Sequence, residues 1–385
     1  MQNVEEVQVK KMKNILLVDD SALMRRVLCD IIESDKRFHV QDRAVNGLDA
    51  LNLLSRKTYD AVVLDVNMPQ MNGLELLRQL QKRGIQAKII MASTDTRDGA
   101  KVTLDALELG ALDFIHKPNN AMDCRSGDFG QELLRILEAV SEMNVPTSTG
   151  VGGTVTPGGR IGPVGITSAA AERKASVPPA ALASSGKAVF DAGVQIVAIA
   201  SSTGGPKALQ AVIPKLPANL NAPVVVVQHM PPGFTASLAE RLNSLSSLNV
   251  KEAAEGDMLA PGNVYIAMGG KHLNVLHVSP GKYTIHYSDE PAREGVKPCA
   301  NYMYESLMDS KFDRVLCVVM TGMGADGTQG IRNLKLKKKI HVIVQEASTC
   351  AVYGMPKSAV NAGLADQTVP LEQIAQEIIT NVGVK

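Results

Sequence analysis

Short runs of apolar residues alternate with amphipathic stretches along most of the chain, and this alternation predicts the fold class. Between residues 13 and 143, five runs rich in Val, Ile and Leu precede stretches whose apolar residues recur at helical spacing. Residues 193–385 contain a second alternation of the same kind. Near-continuous apolar strands that alternate with helices are typical of parallel sheets covered on both faces. We therefore predict two doubly wound α/β domains.

The segment between these domains, residues 144–192, has a different composition. It is rich in Gly, Pro, Ser, Thr and Ala. Because such a segment buries too little apolar surface to offset the entropy lost on ordering it, we predict a flexible linker. Residues 1–12 precede the first apolar run and are predicted to be an N-terminal extension. They are charged and lack the apolar segment of a signal peptide.

Composition narrows the classes of function. The 385 residues carry a net charge of +1, without the basic excess typical of general nucleic-acid or membrane-surface binding. No apolar run approaches the roughly 18 residues that a membrane span requires. The five cysteines include no CxxC pair, which favours reduced thiols. We therefore expect a cytoplasmic protein that neither binds nucleic acid nor inserts into a membrane.

Polar residues at the ends of the apolar runs of the first domain indicate a phosphoryl-accepting site. Asp19 and Asp20 follow the first run, and Asp65 ends the third. Carboxylates that converge at the carboxyl ends of parallel strands repel one another unless a cation lies among them, and such oxygen ligands suit Mg²⁺. Ser93 and Lys117 lie at the ends of the next two runs, where they would stabilise phosphoryl oxygens. The alternative is a set of solvated acids and a surface lysine.

The first domain resembles a response regulator receiver domain over essentially its whole length. The motifs VDDS, LDVNMPQMNG, MAST and HKP carry this resemblance. It implies that a partner histidine kinase phosphorylates Asp65. It also implies a set of Mg²⁺ ligands: Asp19, Asp20, Asp65 and Asn67. The residues that would switch the domain on phosphorylation are Ser93, Phe114 and Lys117.

The second domain presents three reactive residue types after apolar runs. Ser202 follows the run VQIVAIA and one further serine, His229 follows VVVVQ, and Asp326 lies in a glycine-rich turn after VLCVVM. A serine hydroxyl is a weak nucleophile that needs a base, which is in turn oriented by an acid. This set therefore suits a hydrolase. The glycines after Thr203 permit a sharp turn, and free N–H groups at the start of the next helix would hold an oxyanion.

The residues alone leave other interpretations open. The turn ASSTGGPK also fits a phosphate-binding loop, although its spacing is neither GxGxxG nor GxxxxGK. His229 is equally consistent with a core histidine, and Asp326 with a helix cap. The role of Ser201, next to Ser202, is undetermined. A response regulator whose second domain binds a partner or a nucleotide is therefore the alternative from another functional class.

From about residue 195 to the C-terminus, the chain resembles the catalytic domain of the chemotaxis protein-glutamate methylesterase (CheB) family. Matching stretches include ASSTGGPKAL, VVVVQHMPPGFTASLAERLN, EGDMLAPGNVYIA and MTGMGADG. The order of receiver, linker and this domain is also that of the family. Together the two resemblances cover nearly the whole chain.

The second resemblance implies an activity and the residues that perform it. Ser202 would be the nucleophile, His229 the base and Asp326 its orienting acid. Thr203 and Met323 would assist around the oxyanion. The reaction would hydrolyse γ-glutamyl methyl esters on methyl-accepting chemotaxis receptors, with deamidation of receptor glutamines and no cofactor for the esterase step. The unphosphorylated receiver would cover the cleft, and phosphorylation would loosen that contact.

Three departures from the family pattern bear on the expected substrate choice. Met268 stands where proline is usual, and residues 299–301 read Cys-Ala-Asn instead of Ser-Val-Asp. The basic stretch at residues 337–339 lacks the usual glycine pair and is predicted to be a solvated helix end. None of these changes removes a member of the expected triad. We expect them to bear on receptor recognition more than on chemistry, and receptors outside chemotaxis are a further alternative.

Overall fold

Five segments of the chain are described in the computed structural model: residues 12–94, 97–118, 123–125, 127–143 and 195–385. The predicted linker and all but the last residue of the predicted N-terminal extension lie outside the described residues. The described segments on the two sides of the linker belong to one compact unit. The exact domain limits stay a prediction.

The first domain is built from alternating strands and helices in the predicted order. The strands are β1 (Lys13–Val18), β2 (Phe38–Ala44), β3 (Ala61–Asp65), β4 (Ile89–Thr94) and β5 (Asp113–Lys117). The helices are α1 (Ala22–Glu33), α2 (Gly47–Leu54), α3 (Gly73–Arg83), α4 (Arg97–Glu108) and α5 (Gly127–Glu142). The strands form a parallel sheet in the order β2-β1-β3-β4-β5.

Both faces of this sheet are covered, which explains its apolar strands. Successive residues of a strand point to opposite faces. Val63 accordingly packs in a cluster with residues of α1 and α5, whereas Val62 and Leu64 pack with residues of α2, α3 and α4. A strand buried on both faces requires a continuous apolar run, so the predicted doubly wound arrangement is confirmed.

The second domain contains a larger parallel sheet and a separate hairpin. Its strands are β6 (Gln195–Ser201), β7 (Val224–Gln228), β8 (Asn249–Glu252), β9 (Asn263–Ile266), β10 (His272–Ser279), β11 (Lys282–Ser288), β12 (Arg314–Val319), β13 (Ile340–Gln345) and β14 (Gln367–Val369). Its helices are α6 (Gly205–Val212), α7 (Phe234–Leu245), α8 (Ala300–Ser306), α9 (Thr328–Lys335), α10 (Met355–Asn361) and α11 (Leu371–Val382). The seven sheet strands follow the order β14-β13-β12-β6-β7-β9-β8.

The four apolar runs of this domain are the four central strands β13, β12, β6 and β7, as predicted. The strands β8, β9 and β14 and the antiparallel β10–β11 hairpin were not predicted, because they are short or partly exposed and so lack a long continuous apolar run. Among the described residues, no helix combines the length and the apolar character needed to cross a membrane.

The turn between β6 and α6 depends on a close approach of two strand ends. Gly205 donates its N–H to the carbonyl of Ser202 at 2.7 Å, which closes the turn. A Cβ atom at Gly205 would lie 1.9 Å from Oε1 of Gln228 at the end of β7. The preceding Gly204 has a φ of 75°, in the left-handed region that favours glycine. Glycine is therefore required here by packing and by backbone conformation.

We expect Gly205→Ala to lower the free energy of unfolding by about 1–3 kcal/mol, because the new methyl group overpacks the site against Gln228. Gly130→Ala is the matched control, since its Cβ would lie 3.5 Å from Ile31. Within α5 the control should be neutral or stabilising by about 0.5–1 kcal/mol. Urea unfolding followed by circular dichroism measures both changes. A Gly205→Ala protein as stable as the parent would contradict this packing account.

Candidate active site

Two neighbouring strand ends bring Ser202 and His229 to the same edge of the second sheet. β6 and β7 are adjacent and parallel, and each residue directly follows its strand. His229 donates its backbone N–H to the carbonyl of Ser201 at 3.1 Å. The side-chain amide of Gln228 donates to the carbonyls of Ser202 (2.9 Å) and His229 (3.2 Å). These bonds hold the two segments in register.

The two adjacent serines have different environments. Ser201 is fully buried, and its hydroxyl donates to Oε1 of Gln228 at 2.7 Å. Ser202 is 5% exposed, and its backbone N–H donates to the carbonyl of Thr321 at 3.0 Å. A Cβ at Gly322 would lie only 2.8 Å from Cβ of Ser202, so the loop after β12 packs directly against Ser202. The engagement of Ser201 with Gln228 favours Ser202 as the reactive hydroxyl.

Asp326 lies in the loop after β12 and is 2% exposed. Its Oδ2 atom pairs with Nε2 of His229 at 2.8 Å. Four further donors surround the carboxylate within the described residues: the N–H groups of Ala300 (2.6 Å), Asn301 (2.9 Å) and Gly327 (2.8 Å), and the thiol of Cys299 (3.0 Å). Burial alone would raise the pKa of Asp326, but the hydrogen bonds and the charge of His229 outweigh it and lower that pKa. The acid is therefore ionised at neutral pH.

The ionised acid determines which nitrogen of His229 is available as a base. A carboxylate only accepts hydrogen bonds, so Nε2 must carry the proton that it shares with Asp326. The second nitrogen, Nδ1, is buried and has no hydrogen-bond partner within the described part of the chain. In the neutral ring this atom carries the free lone pair. The arrangement is not that of a fully satisfied core histidine.

The alternative role of Asp326 as a cap of the following helix is wrong. α9 begins after Gly327, and no side chain caps it. Asp326 instead accepts the N–H groups of Ala300 and Asn301 at the start of α8. Opposite charge is favourable there, because the first N–H groups of a helix have no partner within the helix.

The departures from the family pattern occupy different environments. Residues 299–301 are fully buried, and all three contact Asp326, so they lie behind the acid. Met268 is half-buried, and its N–H donates to the hydroxyl of Tyr287 at 2.9 Å. Lys337 and Lys339 are exposed, but Lys338 is half-buried and donates to the carbonyl of Ser310, so the predicted solvated helix end is confirmed only in part. Because residues 299–301 are buried, they cannot contact a receptor directly, contrary to the expectation that they bear on receptor recognition.

The predicted oxyanion donors are partly occupied. The N–H of Gly205 bonds to the carbonyl of Ser202, so this one donor at the start of α6 is engaged. Thr203 is 5% exposed, and its side chain bonds to Asp113 of the first domain. Met323 is half-buried in the loop between β12 and Asp326, one residue beyond the glycine that packs on Ser202. Thr203 and Met323 therefore lie beside the candidate nucleophile, at its two flanking loops.

The acids of the first domain converge as predicted. Asp19, Asp20 and Asp65 each offer an oxygen atom, and these atoms lie within 4.8 Å of one another. Lys117 donates to Oδ2 of Asp19 at 2.9 Å and pairs with Oδ1 of Asp65 at 2.7 Å. Burial raises the pKa of Asp65 despite the nearby ammonium group. Burial alone would lower the pKa of Lys117, but the two carboxylates raise it. This oxygen-only set fits a hard cation such as Mg²⁺.

Of the other predicted residues of this domain, Ser93 and Asn67 lie near the same end of the sheet, whereas Phe114 lies near the opposite end of β5. Ser93 on β4 is 1% exposed, and its hydroxyl donates to the carbonyl of Gly99 at 3.4 Å. Asn67 is exposed, two residues beyond Asp65. Phe114 on β5 is 8% exposed, and its ring also packs against the second domain.

Phe114 belongs to a contact between the two domains that the sequence did not predict. Its ring stacks on that of Phe234 at the start of α7, with centroids 4.8 Å apart. Arg241 of α7 donates to Glu108 of α4 at 2.7 Å. Burial raises the pKa of Asp113 to about 6, although hydrogen bonds from Thr203 and from a backbone N–H act against this rise. The first domain thus contacts the residue next to Ser202.

Comparisons with known proteins cover both domains. The model of the CheB methylesterase family matches residues 197–378, and that of the response regulator receiver domain matches residues 15–126. A protein-glutamate methylesterase/protein-glutamine glutaminase of Bacillus subtilis is 40% identical over 96% of this chain and 99% of its own length. The protein of the same name from Pyrococcus abyssi is 40% identical over 96% of this chain and 93% of its own. The crystal structure of the Thermotoga maritima CheB methylesterase catalytic domain is 42% identical, with a TM-score of 0.47, over 49% of this chain and 98% of its own.

We expect Asp326→Asn to lower the free energy of unfolding at neutral pH by about 1–3 kcal/mol, because several buried donors lose a charged acceptor. Since the folded state lowers the pKa of Asp326, its stabilisation is present above its ordinary value of 3.8 and is lost as the pH falls through the folded value. The difference between parent and variant should therefore shrink as the pH falls below 3.8. Urea unfolding at a series of pH values measures it. The exposed Asp309→Asn is the control, and a difference independent of pH would contradict the assignment.

Proposed function

The chain belongs to the family of protein-glutamate methylesterase/protein-glutamine glutaminases that carry a response regulator receiver domain, and we propose that Ser202 hydrolyses γ-glutamyl methyl esters on methyl-accepting chemotaxis receptors. The chain is a hydrolase of the chemotaxis two-component system. The observation that carries the catalytic assignment is the buried pair of His229 and Asp326 next to Ser202, with Nδ1 of His229 left without a partner.

The reaction is an acyl transfer in two steps. Nδ1 of His229 takes the proton of Ser202 while the serine oxygen attacks the ester carbonyl, and Asp326 stabilises the imidazolium that forms. The tetrahedral oxyanion collapses as the bond to the methoxy group breaks, and His229 returns its proton to the departing methoxy oxygen, which leaves as methanol. Water then attacks the acyl-enzyme with His229 again as base. This releases the glutamate carboxylate and restores Ser202.

The same acyl-enzyme accounts for deamidation of receptor glutamines. In that case the carbon–nitrogen bond breaks, and His229 protonates the departing amide nitrogen, which leaves as ammonia. Both reactions produce a glutamate carboxylate. Each turnover therefore adds one negative charge to a receptor helix, where like charges at helical spacing repel and weaken packing. This change in helix packing would support sensory adaptation.

A non-catalytic second domain is less consistent with these contacts. A phosphate-binding loop uses free N–H groups at a helix start. Here the N–H of Gly205 is engaged by the carbonyl of Ser202, and the N–H of Gly322 donates to Val352 at 3.0 Å. The pairing of a buried acid with a histidine next to Ser202 is the arrangement that nucleophilic catalysis needs.

Phosphorylation of Asp65 by a histidine kinase is the proposed input. Asp19, Asp20 and Asp65, with the backbone of Asn67 as the family resemblance implies, would hold Mg²⁺. The ion would neutralise charge on the phosphoryl oxygens. Lys117 already bridges Asp19 and Asp65, so a phosphoryl group on Asp65 must change the partners of this buried ammonium group.

The proposed output is relief of a contact that restricts access to Ser202. Phe114 and Asp113 of β5 lie against Phe234 and Thr203, next to the nucleophile. β5 also carries Lys117 at its other end. A shift of this strand on phosphorylation would therefore reach the hydrolytic site directly.

We expect Ser202→Ala to reduce methanol release from purified methylated receptors by at least about 10³-fold, because the nucleophile is removed. Ser201→Ala is the matched control. It should lose about 1 kcal/mol of stability through the bond to Gln228 while it keeps activity within about tenfold. Methanol release is followed by gas chromatography or with a labelled methyl group. If Ser202→Ala releases methanol as fast as the parent, the catalytic assignment is wrong.

We expect Phe114→Ala to raise methanol release without a phosphodonor by about 2- to 10-fold, because a stacked aromatic pair contributes roughly 0.5–1.5 kcal/mol beyond its burial. Asp65→Asn should keep the parent's basal rate but lose its response to acetyl phosphate and Mg²⁺. The double variant should keep the raised basal rate, since Phe114 acts after Asp65. A basal rate unchanged or lowered in Phe114→Ala would exclude an inhibitory role for this contact.

A further inference from the structure

The thiol of Cys299 lies against the acid of the proposed triad. Its Sγ atom is 3.0 Å from Oδ1 of Asp326, the oxygen that does not face His229. Cys299 is fully buried and immediately precedes α8. It is the only side-chain donor to Asp326 besides His229 within the described residues, since the other three donors are backbone N–H groups.

The thiol is a donor rather than a thiolate. Burial and the negative charge of Asp326 raise the pKa of Cys299 well above its ordinary value. A thiol is a weak hydrogen-bond donor, and a serine hydroxyl of similar size is a stronger one. The strength of the donor at position 299 therefore determines how much of the negative charge of Asp326 is withdrawn by this hydrogen bond.

The other titratable groups on the elements packed around Asp326 have partners of their own. These groups and their partners are Tyr304 with the carbonyls of Ala198 and Val318, Arg293 with Glu305, and Glu294 with Asn301. Among the described residues, His229 and Cys299 are therefore the side chains that share the charge of Asp326 directly. A substitution of Cys299 alone should therefore change how much of the charge of Asp326 acts on His229.

We propose that Cys299 is a positioning residue for the reaction: because its thiol donates only weakly to Asp326, it leaves more negative charge on the acid than a serine hydroxyl would, and this charge helps His229 to hold a proton. The inference rests on the proposed function, in which His229 must accept the proton of Ser202. A stronger donor at this position would draw charge away from the face of Asp326 that contacts His229. Without any donor, more of that charge would remain on the acid.

The proposal predicts an order of titration midpoints for His229 in three proteins. The midpoint should be lowest in Cys299→Ser, intermediate in the parent and highest in Cys299→Ala. The two variants should differ by on the order of 0.5 pH unit, the effect of one modest hydrogen bond on the acid. The acidic limb of the pH profile of kcat/KM for methanol release should shift in the same order.

The experiment is an NMR pH titration of the full chain labelled at histidine, with the His229 signal assigned by comparison with His229→Gln. Cys317→Ala is the control for loss of a buried thiol, because Cys317 is fully buried on β12 and is not a donor to Asp326. Its midpoint should equal that of the parent. If Cys299→Ala does not fold, Cys299→Ser against the parent still tests the direction.

Equal midpoints in Cys299→Ser and the parent would overturn the proposal, and so would a shift in Cys317→Ala as large as that in Cys299→Ala. The titration does not depend on turnover. If the predicted order appears in a protein that releases no methanol, the role of Cys299 stands and the proposed function falls. If methanol release depends on Ser202 but the order is absent, the function stands and the positioning role falls.

Discussion

The negative charge of a buried carboxylate must be compensated by donors, and this requirement at Asp326 organises the proposed hydrolytic site. An unpaired buried charge is strongly destabilising, whereas one surrounded by donors is retained. The donors around Asp326 come from the end of β7, the start of α8 and its own loop. Three segments far apart in the chain are thus drawn together by one acid. The proposed chemistry at Ser202 uses the same contacts that hold the fold together there.

β5 links the two chemical sites of the molecule. Lys117 at one end bonds to Asp19 and Asp65, and Asp113 at the other end meets Thr203. These positions are four residues apart along β5, about 13 Å in an extended strand. The apolar core of one face of the first sheet also merges with the core of the second domain. The proposed phosphoryl site on the first domain and the proposed nucleophile on the second are therefore separated by one short strand.

The architecture was predictable from the sequence wherever a pattern is local. Strands buried on both faces require continuous apolar runs, so the central strands and the residues that follow them, such as Ser202 and His229, could be located. The different environments of Ser201 and Ser202 depend on Gln228 of the neighbouring strand, which no local pattern reveals. The same holds for Cys299, whose contact with Asp326 joins positions 27 apart in the sequence. The contact of Phe114 with Phe234 depends on how two domains pack.

A double-mutant cycle between His229 and Asp326 tests the central claim that these residues act on Ser202 as one unit. Methanol release from methylated receptors would be measured for His229→Gln, Asp326→Asn and the double variant. If the acid acts only through the histidine, the double variant loses no more activity than His229→Gln alone. Losses that multiply in the double variant would contradict the account, since Asp326 would then contribute independently of His229.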